Sequence, residues 1–157
     1  MRKVVIGIDP GAHGALAIYY PHQGKILVEN FTSEDEATET LRAVRDFCAE
    51  ECCGCVAYLE QVGGFVKGRA SPGSAMFNFG SNFGFWRGAC RALRIELRLV
   101  RPQVWQKGVG LSAKLAGAAR KSALKDAAAR IYPDLKCTLA NADALLILDW
   151  ARREERN

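Results

Sequence analysis

The chain has 157 residues, of which 49% are hydrophobic and 25% charged, and its formal net charge is +5. These proportions suit a single folded domain over residues 1–157 with a core of its own, and they exclude a disordered, collagenous or coiled-coil chain. No apolar run approaches the ~20 residues of a membrane helix, and the opening MRKVVIGID enters a strand-like run without the pattern of a signal or transit peptide, so the expected setting is the cytoplasm, with no membrane partner.

Lys3 to Ile8 (KVVIGI) is a continuous apolar run and predicts a buried strand. Asp9-Pro10-Gly11 predicts a turn, Ala15 to Tyr20 a second strand, and Lys25 to Asn30 a third after the turn Pro21 to Gly24. Short turns between the three imply an antiparallel meander. Ser33-Glu34-Asp35-Glu36 has the form of a capping box. The helix it opens places Ala37, Leu41, Val44 and Cys48 on one face. Cys55 to Leu59 predicts a fourth strand, with Glu60 at its C-terminal end.

The stretch QVGGFVKGRASPGSA follows, rich in glycine and serine and basic. Connections this long in a compact domain usually serve a function. A helix over about Ser74 to Leu93 comes next, with Phe79, Phe83, Trp86, Cys90 and Leu93 along one face. Beside them Gly80, Gly84 and Gly88 recur every four residues. Each glycine costs a helix ~1 kcal/mol relative to alanine, so three in register imply a very close approach. The partner is either the helix's own sheet or a second copy of the chain.

Ile95 to Val100 predicts a fifth strand, and RPQVWQKGVGLSAK a loop or short turn of helix. An alanine-rich helix is expected from Ala113 to Ile131, with Lys114, Lys121 and Lys125 within roughly 40° of one another. Tyr132-Pro133-Asp134 ends it. The last helix starts near Asn141 and carries Leu146, Ile147 and Trp150, and the tail ARREERN is expected to be solvated. This order fits an α/β fold: one mixed five-stranded sheet with helices on both faces.

Charge is unevenly spread. Gln61 to Pro133 holds 13 basic and 2 acidic residues (Glu96 and Asp126), while the rest of the chain holds 9 basic and 15 acidic. A basic half on a folded domain is the footprint of a polyanion partner. Of the six cysteines, Cys48, Cys52, Cys53 and Cys55 cluster, while Cys90 and Cys137 stand alone. That lacks the paired knuckles of a structural zinc site, so reduced and mostly buried thiols are expected.

Three carboxylates interrupt apolar stretches: Asp9 in VVIGID, Glu60 in CVAYLE and Asp143 in NADALLIL. A charge beside a core is costly unless something compensates it. Singly, Asp9 is explained as a turn acid and Asp143 as a helix-dipole acid. Jointly, beside a basic half, they point to a divalent cation held by hard oxygen ligands, magnesium or manganese.

GIDPGAHGALAIY, YLEQVGGF, RPQVWQKGVGLS and NADALLILDWARR, in that order, resemble the RuvC-like Holliday junction resolvases of the RNase H-like nuclease superfamily, and particularly their bacteriophage, prophage and organellar branch. The likeness covers about Lys3 to Arg153. It implies an RNase H-like fold and a crossover junction endodeoxyribonuclease that nicks four-way DNA junctions in pairs. The products would carry a 5′ phosphate and a 3′ hydroxyl. It also implies two Mg2+ ions per site, replaceable by Mn2+, typically ~3.5–4 Å apart. Asp9 would bridge both ions, and Glu60 and Asp143 would hold one each. Relatives often carry a fourth acid or a histidine shortly before the last aspartate. This chain has Leu139, Ala140 and Asn141 there. Asn141 then either offers a carbonyl oxygen to a metal or caps the last helix.

For DNA binding the candidates are Phe65, Lys67 and Arg69 in the glycine-rich loop, Lys107 in WQKGVG, and Lys114 and Lys121. Phe65 either stacks near a branch point, as the resemblance implies, or packs into the core. Lys67 and Arg69 either hold phosphates or solvate their loop. Trp105 is assigned to the core rather than to a base platform. A two-fold junction needing two nicks favours a homodimer. Another RNase H-like nuclease, acting on RNA–DNA hybrids or ribosomal RNA, and a catalytically weak junction-binding module stay open. A kinase-like ATP binder needs two large lobes, so no nucleotide cofactor is expected in a chain of this length.

Overall fold

A computed structural model describes residues 3–63, 73–112 and 114–156. Five strands form one sheet: β1 (Val4–Asp9), β2 (Ala15–Tyr20), β3 (Lys25–Asn30), β4 (Cys55–Glu60) and β5 (Glu96–Val100). Their order is β3-β2-β1-β4-β5. The first three run antiparallel as a meander, and β4 and β5 run parallel to β1. Helices α1 (Glu34–Glu50), α2 (Gly73–Ala92), α3 (Pro102–Lys107), α4 (Gly117–Ile131) and α5 (Ala142–Glu154) cover it.

Strand periodicity of two divides the core in two. Val4, Ile6 and Ile8 of β1 face α1 and α2, packing with Leu41, Val44 and Trp86. Val5 faces the other way, into a layer with Trp105, Leu124 and Leu145 from α3, α4 and α5. Gly7 lies on this second face. A Cβ built on it would stand 2.6 Å from both Ala144 O and Leu148 N, so the backbone of α5 rests directly on β1.

The α1 stripe buries Ala37, Leu41, Val44 and Cys48, as its spacing requires, and the Ser33 side chain accepts the Glu36 N–H. The capping box is half formed, since the Glu36 carboxylate takes the Thr32 hydroxyl. The helix ends with Cys53 N–H on Cys48 O, through Cys52 at φ +50°. All six cysteines are free, three of them buried, and burial pushes the Cys48, Cys55 and Cys90 thiols up, which keeps them protonated.

Three expectations need correction. Among the described residues a Cβ at Gly80, Gly84 or Gly88 would meet nothing within 4 Å, so of its two readings the stripe does not take the packing on its own sheet. The alanine-rich helix begins at Gly117, not Ala113, because the chain enters it through Gly117 at φ +55°. Lys114 therefore lies before α4 and shares no helical face with Lys121. The C-terminal residues are solvated only in part: Arg153, Glu154 and Arg156 are exposed, but α5 runs to Glu154, and Glu155 Oε1 accepts from Tyr58 Oη at 2.7 Å and Arg98 Nη1 at 2.6 Å.

Candidate active site

The site is assembled by the sheet register. Ile8 of β1 pairs with Leu59 of β4, so Asp9 and Glu60 are the next residues on adjacent parallel strands, about 4.8 Å apart along the hydrogen-bonding direction. Both take the alternation of Val5 and Val56 and so lie on the face covered by α4 and α5. Asp143 is in the first turn of α5. Because α5 sits on Gly7, one turn of helix brings Asp143 to the same strand ends.

Asp9 also braces its own turn, one carboxylate oxygen accepting the Gly11 N–H at 3.0 Å. Burial raises its pKa, opposed by that hydrogen bond and by the charge of Lys121. Glu60 is pushed up to about 8, first by burial, then by the charges of Asp9 and Asp143, with a hydrogen bond from Trp105 pulling the other way. Asp143 is pushed up to about 6 by burial and by Asp9, opposed by Lys121 and Arg120. Three carboxylates from three parts of the chain thus feel one another's charge. Burial and like charge raise such groups, and a bound cation would reverse both effects.

Among the described residues, no three His, Cys, Asp or Glu side chains are grouped tightly enough to enclose an ion as they stand. The donor set nonetheless fits a hard divalent cation. It is all carboxylate oxygen, it is desolvated, and its mutual repulsion is what such an ion would relieve.

Asn141 is buried, and its side chain serves its own loop. Oδ1 accepts the Thr138 N–H at 2.8 Å, and Nδ2 donates to Lys136 O at 3.0 Å. It occupies the N-cap position, as one of its two readings has it, but its side chain makes no bond to the helix. Its amide oxygen is already engaged by backbone.

Lys121 stands close enough to Asp9 and Asp143 for its charge to act on both, besides the phosphate contact expected of it. Arg120, also acting on Asp143, donates to the Gln106 side-chain oxygen. Lys107 is exposed at the end of α3, and Lys114 is exposed in the turn before α4. Phe65, Lys67 and Arg69 lie outside the described residues. Trp105 was expected in the core and is fully buried there, yet its indole N–H also reaches Glu60 Oε2 at 2.9 Å. No periodicity in the sequence could signal that second role, because the bond joins residues 45 positions apart.

A mixed sheet in this order, layered by helices and with acids at the ends of its central strands, defines an RNase H-like α/β fold. Within that class the fold is RuvC-like. The chain is similar to the solved structure of T. thermophilus RuvC in complex with a Holliday junction substrate, with a TM-score of 0.61 at 16% identity over 99% of this chain and 96% of that one. It is likewise similar to the Thermus thermophilus RuvC structure, with a TM-score of 0.57 at 16% identity over 97% and 96% of the two chains. No protein-family model and no curated protein matches the sequence.

Proposed function

We propose that the chain is a metal-dependent, structure-selective endonuclease that resolves four-way DNA junctions by paired nicks, leaving 5′-phosphate and 3′-hydroxyl ends. The observation that supports this most is the meeting of Asp9, Glu60 and Asp143 from β1, β4 and α5 at one end of a RuvC-like sheet. The similar T. thermophilus RuvC structure is of a complex with a Holliday junction substrate.

Asp9, Glu60 and Asp143 would hold the divalent cations. Bound there, such ions would supply an activated water and charge neutralisation for the leaving 3′ oxygen. The protein's part is to hold the three carboxylates together and to favour the ionised form of two of them. Lys121 and Arg120 set a positive charge beside Asp9 and Asp143, which favours the ionised acids before an ion arrives. The same cations then face the phosphate backbone.

Lys107 and Lys114 extend that basic surface; Phe65, a few residues after Glu60 in the chain, is assigned to the branch point, and Lys67 and Arg69 to phosphates. Phosphate contacts of this kind give affinity without sequence information. Pairing of nicks calls for two sites, and the α2 face with Gly80, Gly84 and Gly88 open and Phe77 76% exposed is the surface assigned to a second copy.

The test is cleavage of a synthetic four-way junction in Mg2+, with strand-resolved mapping of the products, against an RNA–DNA hybrid duplex of equal length. Symmetric nicks in the junction, abolished by Asp9→Asn, support the proposal. Preference for the hybrid would replace it with another RNase H-like activity. Binding without nicking would reduce the protein to a junction-binding module.

A further inference from the structure

We infer that Trp105 is a positioning residue of the cation site, its indole N–H holding one carboxylate oxygen of Glu60 so that the other is presented to the ion. This rests on the nuclease reading above. Trp105 Nε1 lies 2.9 Å from Glu60 Oε2. Among the described residues it is the one side-chain or backbone group that hydrogen-bonds the Glu60 carboxylate.

The donor is itself held by packing. Trp105 is 0% exposed and packs in the layer between the sheet and α4 and α5. A hydrogen bond from a ring locked by packing fixes both the position and the rotation of the acceptor carboxylate. Once a cation displaces the Glu60 proton, the bond gains further, since bonds to an ionised acceptor are roughly twice as strong as neutral ones. A carboxylate on the last residue of a strand otherwise rotates freely about its terminal torsion.

The bond is not the default fate of a buried indole in this chain. Among the described residues Trp86, equally buried, finds no partner for its Nε1. A buried tryptophan that merely needed an acceptor would cost less if matched with a neutral carbonyl than with a desolvated acid. The helix that carries Trp105 is braced at the neighbouring residue as well. Gln106 accepts from Arg120, the cation that acts on Asp143. Consecutive residues of α3 therefore reach two of the three acids, one directly and one through an arginine. In metal sites, partners that orient a ligand in this way typically contribute 10–100-fold in metal affinity or activity.

The experiment measures Mn2+ binding to the full chain by calorimetry without DNA, for the parent, Asp9→Asn and Trp105→Phe. Phenylalanine keeps most of the ring volume and removes the N–H. We expect Mn2+ affinity about 10-fold weaker in Trp105→Phe. The Mg2+ concentration for half-maximal nicking should rise by a similar factor, with junction affinity unchanged. A merely structural tryptophan would alter the melting temperature and leave ion affinity alone. Mn2+ affinity equal to the parent's overturns the proposal. If the parent shows no Mn2+ binding that depends on Asp9, the carboxylate site itself is misassigned, and this inference falls with it.

Should Trp105→Phe fail to fold, the indole N–H resonances of the parent and of Glu60→Gln carry the test. The Trp105 resonance should move on Mg2+ addition and in Glu60→Gln, while those of Trp86 and Trp150 stay. A Trp105 resonance indifferent to both overturns the assignment.

Discussion

Gly7 and Leu148 approach so closely that a Cβ on Gly7 would lie 2.6 Å from the Leu148 backbone nitrogen. No side chain fits between β1 and α5 at that point. The absence of one lets the helix descend onto the strand, which brings Asp143, five residues before Leu148, to the end of the strand that carries Asp9. Gly7→Ala should therefore separate two acids that it does not touch. Overpacking of this kind costs ~1–3 kcal/mol, a fall in melting temperature of roughly 2–4 °C per kcal/mol for a chain of this size. Nicking should fall further than the lost stability accounts for. Full nicking at a temperature where the variant is folded would refute the link.

The raised acids predict how stability depends on pH without divalent ions. Glu60 is pushed up to about 8 and Asp143 to about 6, in both cases first by burial. A carboxyl whose folded pKa exceeds its unfolded value holds its proton more tightly when folded. Its contribution is present in full below about pH 4 and is lost as pH rises through 6 and then 8. Glu60→Gln removes the Glu60 part. Urea melts in a chelator should therefore show parent and variant alike near pH 4. The variant should become increasingly the more stable toward pH 8.5, by on the order of a few kcal/mol. Mg2+ at pH 8 should stabilise the parent by more than the variant, which keeps Asp9 and Asp143. A difference that stays constant across the range would mean that Glu60 does not titrate there.

Lys121 acts on Asp9 and Asp143 and belongs to the basic surface. Lys121→Ala should weaken junction binding at every sequence and reduce the slope of log affinity against log salt by about 1. Binding measured across a salt series checks this. A slope equal to the parent's would remove Lys121 from the phosphate contacts.

The Tyr58 hydroxyl and Glu155 form a contact that should matter for stability alone. Tyr58 donates to Glu155 at 2.7 Å and accepts from Arg98 at 2.7 Å. Glu155 also lies 3.8 Å from Lys3, at the opposite end of β1 from Asp9. Tyr58→Phe should cost ~1 kcal/mol and leave the nicking rate at saturating Mg2+ unchanged. A variant of full stability would show that the cluster around Glu155 contributes nothing to the fold.

The strands and α1 were legible because each obeys one local rule. The apolar runs of β1 and β4 and the four-residue stripe of α1 reflect burial on a fixed period. The start of α4 was not legible, since the left-handed Gly117 interrupts an alanine-rich run whose propensity favours helix throughout. The tail misled for a related reason. Arg152 to Glu155 reads as solvated charge until Tyr58 and Arg98, far away in the chain, turn out to face it.

The candidate site was legible in type and not in geometry. Asp9, Glu60 and Asp143 stood out because each is a charge set against an apolar run, where an uncompensated carboxylate is costly. The basic half from Gln61 to Pro133 likewise follows from counting. Those properties belong to neighbours in the chain, so the sequence by itself determined them. The pairing of β1 with β4, the seat of α5 on Gly7, the open face of the α2 glycines and the bond from Trp105 to Glu60 were decided by the tertiary structure alone. Each joins residues tens of positions apart or depends on what packs nearby, and such contacts leave no period in the sequence because they are set by the folded chain as a whole.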